Sequence, residues 1–125
     1  MEVLGKQIGL QRQPDINILD VFQAPGFVES VEFDTDEFTS LCPITGQPDF
    51  AHVHIEYQPG LLCLESKSLK HYLQSYRDEG AFIESLANRI AAEIFGVLQP
   101  LELVVEITSV PRGGIALKAT ARLAR

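Results

Sequence analysis

Four segments of the chain alternate apolar and polar residues, which is the pattern of half-buried β-strands. The first begins at Phe27 and ends near an acidic turn at residues 34–37. The second covers residues 51–57, and the last two begin at Leu101 and Ile115. The pattern therefore predicts two strands before the middle of the chain and two strands at its end.

Two helices are predicted between these strand pairs. From Ser66 to about residue 77, apolar residues recur at spacings of three and four, and Gly80 ends the pattern. A longer apolar stripe runs through residues 83–98 and stops at Pro100. The order strand, strand, helix, helix, strand, strand predicts an α+β fold in which one antiparallel sheet carries both helices on one face.

The ends of the predicted domain follow from the same pattern. Residues 1–26 contain two prolines and little periodicity, so we predict an N-terminal arm followed by a single domain at residues 27–125. A chain of 125 residues is long enough for one core and too short for two ordinary domains. An open four-stranded sheet also exposes two edges, so we expect copies of the chain to associate.

Charge and composition exclude several classes of partner. Ten lysines and arginines against seventeen acidic residues give a net charge of −7, which opposes direct binding to nucleic acid or to an anionic membrane. No apolar stretch approaches the roughly 20 residues of a membrane span, and the first residues lack the apolar core of a signal peptide. Two cysteines are too few for a disulfide scaffold. We therefore expect a cytoplasmic location and no membrane partner.

Cys42 lies in the segment FTSLCPITGQPDF at residues 38–50, interpreted as a loop that two prolines and a glycine make stiff. A stiff loop can hold a thiol beside an electrophile, and Asp49 is the candidate acid or base for such a nucleophile. The residues alone leave a second interpretation open, in which Cys42 is a small buried hydrophobe and Asp49 caps a turn.

A group of cations is the second candidate site. In LESKSLK at residues 64–70, a predicted serine cap is followed by Lys67 and Lys70, which helical spacing places on one side. Together with the free N–H groups of a helix start they could hold a phosphate, and Arg112 is a third cation on a tight turn. The alternative is a solvated basic face.

Glu84 lies beside the long apolar stripe of the second predicted helix. It either enters a cleft and pairs with ligand N–H groups or is an exposed helical glutamate.

A metal site is not expected from the cysteines and histidines. His52 and His54 share one face of the second strand, but the chain has neither a close cysteine pair nor a helical histidine pair that would complete a zinc site. We interpret the two histidines as part of a polar sheet face. Cys63 stands between two leucines and is predicted to lie in the core.

Three segments resemble the nitrile reductases of queuosine biosynthesis, the NADPH-dependent 7-cyano-7-deazaguanine reductases, in their single-module form. They are residues 38–50, LESKSLKHYLQSYRDEGAFIE at 64–84 and PRGG at 111–114. The element ESKSLK followed by Tyr72 is diagnostic of that family. The resemblance implies the tunnelling fold, a ββααββ unit whose sheets join edge to edge into barrels. It also implies active sites between subunits and a homo-oligomer of two stacked pentamers.

The resemblance implies a reaction as well. Cys42 would attack the nitrile carbon of 7-cyano-7-deazaguanine (preQ0) to form a thioimide, and Asp49 would supply protons to the nitrogen. Two NADPH cofactors would then provide the hydrides that yield 7-aminomethyl-7-deazaguanine (preQ1).

Binding roles implied by the resemblance fall into two groups. The substrate-binding residues are Leu64, Glu65, Ser66, Ile83 and Glu84, with Glu84 anchoring the base. The residues that contact NADPH are Lys67, Lys70 and Arg112. Ile83 departs from the family, which usually has histidine there, and isoleucine offers no hydrogen bond.

Three alternatives stay open beside the reductase. A related amidinotransferase adds ammonia to the same cyano base in tRNA through the same cysteine and aspartate, but it lacks the ESKSLK element. A catalytically impaired deazapurine-binding protein is suggested by Ile83. A zinc-dependent pterin cyclohydrolase of the same fold lacks its ligands here.

Overall fold

The computed structural model of the chain describes residues 15–125. In chain order, the elements are a 3₁₀ turn (Ile16–Ile18), β1 (Val21–Gln23), β2 (Val31–Leu41), β3 (Pro48–Gln58), β4 (Leu62–Leu64), α1 (Ser66–Gln74), α2 (Ile83–Leu98), β5 (Glu102–Ser109) and β6 (Lys118–Ala124).

A four-stranded antiparallel sheet in the order β2-β3-β5-β6 carries the fold. The core side of β3 consists of the four buried residues that the alternating pattern predicts, Ala51, Val53, Ile55 and Tyr57. Both helices pack over this face, and α2 buries the predicted apolar stripe against β5 and β6. The predicted α+β architecture is therefore confirmed.

The first strand of the sheet differs from its prediction at both ends. β2 begins at Val31, and Phe27 is fully exposed. At its other end the strand continues through the acidic residues 34–37, where the sequence predicts a turn, and ends at Leu41. The ladder to β3 shifts by one residue between Thr35 and Phe38, and this β-bulge absorbs the extra residue while the pairing continues. As a result, the sheet reaches the residue directly before Cys42.

Helix α1 starts at Ser66 as predicted, but a different residue caps it. The Glu65 carboxylate accepts hydrogen bonds from the backbone N–H groups of Lys67 (2.9 Å) and Ser68 (2.7 Å). These two bonds hold the pKa of Glu65 below its usual range. The predicted serine cap was therefore wrong, and the regular helix ends at Gln74, three residues before the predicted end.

The predicted N-terminal arm is described only from Asp15 onward, and residues 1–14 lie outside the described part of the chain. Beyond that point, Leu19 is buried in the core. β1 pairs with β4 in a two-stranded sheet that the sequence pattern did not reveal. Cys63, on β4, is buried as predicted. Neither α1 nor α2 is long and apolar enough to cross a membrane.

Candidate active site

Cys42 stands in a tight turn at residues 42–47 that links β2 to β3. The loop predicted at 38–50 is thus shorter, because both of its ends belong to strands. The Cys42 N–H donates to the carbonyl of Gln47 (2.8 Å), and the Gly46 N–H donates to the carbonyl of Cys42 (2.9 Å). Gly46 has a φ of +76°, a conformation that favours glycine. These constraints fix the half-buried thiol at the end of the sheet.

Thr45 favours the thiolate form of this cysteine. Its hydroxyl hydrogen bond to Cys42 lowers the pKa of the thiol, helped by the backbone of Thr45, while burial and the nearby Asp49 charge act against it. The Thr45 hydroxyl oxygen accepts from the Gln47 N–H (3.2 Å), so its proton is free for the sulfur. Thr45 is not among the site residues predicted from the sequence. The feature that could have indicated it is a hydroxyl residue three positions after the cysteine, in a turn closed by glycine.

We expect Thr45→Val to raise the pKa of Cys42, because the valine methyl cannot donate to the thiolate. The pH profile of alkylation by iodoacetamide should then move to higher pH, with slower alkylation at neutral pH. Thr39→Val, on β2, is the matched control and should leave the profile in place. Identical profiles for wild type and Thr45→Val would contradict this role.

Asp49 lies on the second residue of β3, opposite Ser40 in the ladder. Its Oδ1 is 2.9 Å from Nη2 of Arg112, which also donates to the carbonyl of Pro48 (2.5 Å). The Asp49 side chain is 20% exposed and that of Arg112 is 52% exposed. Solvent screening at such an exposure leaves little net stability in the ion pair, so its main effect is to orient the carboxylate.

One cavity of about 280 Å³ brings together five of the residues singled out in the sequence. They are Cys42, Asp49, Ile83, Glu84 and Arg112. Its volume is slightly below the roughly 300–1,000 Å³ typical of small-molecule sites. A thiol and two carboxylates therefore line a single cavity, whose remaining wall is largely apolar.

The first turn of α2 forms one side of this cavity. Ile83 is the first residue of the helix, and its nearly buried side chain contributes an apolar wall. Glu84 follows it and is exposed, in a position where the helix dipole favours a carboxylate. The preceding residue, Phe82, offers no side-chain cap. This arrangement gives a ligand one flat apolar surface and one acceptor for N–H groups.

The other five predicted site residues do not line the Cys42 cavity. Leu64 is buried in the core, and its N–H donates to the Tyr57 hydroxyl (2.9 Å). The Glu65 carboxylate is engaged as the cap of α1. Ser66 and Lys70 line a separate cavity of about 400 Å³ between α1 and the strands β2 and β3, whereas Lys67 is simply exposed.

Comparison with known proteins supports the fold and shows the family of this chain. The chain belongs to the family described as QueF-like protein, whose pattern matches residues 48–125. Frankia casuarinae has a relative named NADPH-dependent 7-cyano-7-deazaguanine reductase that is 44% identical, with 86% of each chain covered. A relative of the same name from Agrobacterium fabrum is 53% identical, covering 91% of this chain and 75% of the relative.

Other relatives are longer than this chain. The proteins of that name from Streptococcus mutans and Streptococcus thermophilus are 48% and 53% identical to it. The matches cover 82% and 70% of this chain and 65% and 53% of the relatives, so the chain spans about half to two thirds of their length. Among solved structures, the apo form of the archaeosine synthase QueF-Like superposes with a TM-score of 0.73 at 25% identity. That match covers 78% of this chain and 95% of the synthase chain, and it supports the fold.

Proposed function

We propose that this chain is an NADPH-dependent nitrile reductase that converts 7-cyano-7-deazaguanine to 7-aminomethyl-7-deazaguanine, as the names of its relatives suggest. The observation that carries the proposal is the single cavity containing Cys42, Asp49 and Glu84. Cys42 is the nucleophile, Asp49 the proton donor and Glu84 the acceptor for the N–H groups of the base.

The chemistry begins at the sulfur of Cys42. The thiolate, favoured by the Thr45 hydrogen bond, attacks the nitrile carbon, and one C–N π bond becomes a lone pair on nitrogen. Asp49 protonates that nitrogen, which gives a neutral thioimide. Covalent attachment converts an unreactive triple bond into a C=N group that accepts hydride.

When bound, NADPH supplies two hydrides in succession to the former nitrile carbon. After the first addition the S–C bond breaks, Cys42 leaves as thiolate and an imine remains. The second addition, together with a second proton from Asp49, yields the primary amine. A total of two hydrides and two protons added to the nitrile balances the reaction.

The cations of this acidic chain fit an anionic cofactor. Lys67 and Lys70 lie on the exposed side of α1, Lys70 beside the 400 Å³ cavity, and Arg112 stands at the mouth of the Cys42 cavity. Guanidinium and ammonium groups bind phosphate through charge-assisted hydrogen bonds. Arg112 would contribute a third cation for such a phosphate.

The stoichiometry of the reaction tests this function. Consumption of two NADPH per nitrile, followed at 340 nm alongside intact mass spectrometry of the protein with 7-cyano-7-deazaguanine, would support the reductase. An adduct without NADPH oxidation would favour an amidinotransferase. The fold that this chain shares with the archaeosine synthase supports that second candidate. The absence of both signals would reject the proposed chemistry. A catalytically impaired binding protein would retain the base without either signal.

Two copies of the chain complete each active site in our proposal. The substrate-binding and cofactor-binding residues predicted at 64–70 do not line the Cys42 cavity of their own chain, although the proposed reaction needs them together with Cys42. β2 and β6 are the outer strands of the described sheet, so each has an edge on which a neighbouring copy can pair. We propose a homo-oligomer of two stacked pentamers, which the tunnelling fold implies, with preQ0 and NADPH bound between chains. A cytoplasmic location is part of this proposal, because thiols stay reduced there.

Mixing two inactive variants tests whether the site is shared. We expect Cys42→Ala and the double variant Lys67→Ala, Lys70→Ala to be nearly inactive alone at limiting NADPH. Random reassembly of equal amounts should restore about a quarter of the sites, because a functional site needs the thiol of one copy and the lysines of another. Mixtures of Cys42→Ala with Asp49→Asn should not recover activity, since these residues lie in one cavity of one chain. Equal recovery in both mixtures, or none in either, would contradict the shared site.

A further inference from the structure

The sheet face opposite the helices carries a cluster of acidic residues and histidines that the proposed reaction does not use. Its members, here called the β2–β3 polar cluster, are Glu32, Asp34 and Asp36 on β2 and His52, His54 and Glu56 on β3. The cavity of Cys42 contains none of them. From the sequence, His52 and His54 are candidate zinc ligands only together with the cysteines, whereas in the structure their neighbours are carboxylates.

The strand register forces like charges together in this cluster. Glu32 and Glu56 are direct cross-strand partners, and Asp34 is the direct partner of His54. Like charges in opposite positions of an antiparallel pair are destabilising unless a cation lies between them. Within residues 15–125, the ion pairs made by these acidic side chains involve only His52 and His54.

The basic residues on the same sheet face form ion pairs with acidic residues outside the β2–β3 polar cluster. Lys118 pairs with Glu106 (3.4 Å) and Arg122 with Glu102 (3.7 Å), both between β6 and β5. Glu106 stands opposite His54 in the ladder, so the Lys118 contact neutralises the carboxylate on that side. The acidic excess is therefore confined to β2 and its partner positions on β3.

Three ligand atoms of the cluster converge. Nε2 of His54 lies 3.2 Å from Oε1 of Glu56 and 3.9 Å from Oε1 of Glu32, and all three atoms are within 4.8 Å of one another. Ligands of a tetrahedral zinc ion are roughly 3.4 Å apart, since metal–ligand distances are roughly 2.0–2.2 Å. Small side-chain rotations would bring these atoms to that separation.

Asp34 holds His54 in the orientation that turns its Nε2 toward the two glutamates. Its Oδ1 lies 2.8 Å from Nδ1 of His54 and 2.9 Å from Nε2 of His52. A carboxylate that accepts the Nδ1–H proton of a histidine leaves Nε2 as the nitrogen that can bind a metal, an arrangement typical around metal-binding histidines. In His54, a bound metal would displace the proton that Nε2 shares with Glu56. The second histidine in turn holds Asp34 in place.

We propose that Glu32, His54 and Glu56 bind a divalent transition-metal ion of the zinc type, with Asp34 as the residue that orients His54. The ion clamps β2 to β3 across the directly opposed glutamates and leaves at least one coordination position to water. The site is independent of the nitrile chemistry, and imidazole with carboxylates suits zinc and cobalt better than calcium or magnesium.

The test is direct metal binding by untagged protein in a Cys42→Ala background, so that the active-site thiol contributes nothing. After removal of bound metal with a chelator, Zn²⁺ is titrated by calorimetry and Co²⁺ by its visible absorbance. We expect one saturable site per chain and a rise in Tm with zinc. His54→Gln or Glu56→Gln should weaken binding by at least about tenfold, and Asp34→Asn by about 10–100-fold.

His71→Gln is the matched control, because His71 is an exposed histidine on α1 outside the cluster. It should bind zinc as the background protein does. Glu32→Gln changes an exposed side chain, so folding should persist and lost binding would report on the ligand itself. Failure of the background protein to saturate, or undiminished affinity in both His54→Gln and Glu56→Gln, would overturn the proposal.

Discussion

Replacing Cys42 with alanine is expected to abolish the covalent adduct with 7-cyano-7-deazaguanine and to lower turnover by at least about 10³-fold, because the nitrile then has no nucleophile to activate it. Intact mass spectrometry after mixing protein and nitrile measures the first effect, and NADPH oxidation measures the second. The turn at residues 42–47 is held by backbone hydrogen bonds that alanine retains, so the fold should be preserved.

Cys63→Ala is the matched control for this experiment. Cys63 is the other cysteine of the chain, and it is buried on β4 away from the cavity lining. Its alanine variant should form the adduct as the wild type does. An adduct that survives in Cys42→Ala would show that a different group attacks the nitrile and would remove the basis of the proposed mechanism.

Asp49→Asn is the change with the second largest expected effect. Asparagine keeps the shape of the side chain but has no acidic proton, so we expect turnover to fall by about 10²–10⁴-fold, the usual contribution of a general acid. Adduct formation should slow as well, since attack on the nitrile carbon leaves charge on a nitrogen that must be protonated. Stopped-flow absorbance of the thioimide and NADPH oxidation measure the two rates separately.

Comparison of Arg112→Gln with Asp49→Asn separates the loss of the Asp49 carboxyl group from the loss of the contact that orients it. It removes the 2.9 Å contact to Asp49 but leaves the carboxyl group in the cavity. Adduct formation, which needs no cofactor, should therefore suffer less than in Asp49→Asn, while the KM for NADPH should rise. Asp20→Asn changes an exposed carboxylate outside the cavity and should alter neither rate. An unimpaired Asp49→Asn would assign the proton to another donor.

The periodic elements were accessible from the sequence because each depends on burial of one face. The stripe at residues 83–98 forms α2, and the alternation at residues 51–57 forms the core side of β3. In both cases the free energy of burying many apolar side chains exceeds local preferences, so the pattern and the structure agree.

Local details were decided by competition among polar groups. The acidic residues at 34–37 looked like a turn, yet the ladder of β2 with β3 continues past them because a one-residue bulge preserves pairing on either side. At α1 the Glu65 carboxylate, rather than a serine hydroxyl, satisfies two free N–H groups. The hydrophobic pattern does not indicate which of several neighbouring polar groups will form a given hydrogen bond.

The fold class, the order of the six main elements and the residue types available for chemistry follow from periodicity and composition along one chain, so they can be predicted from the sequence. Which of those residues come together depends on the folded structure. The pairing of Arg112 with Asp49 and the convergence of Glu32, His54 and Glu56 depend on strand register and loop closure. Register arises from contacts between residues distant in the chain, and a shift of one position would turn every side chain of a strand to the opposite face of the sheet.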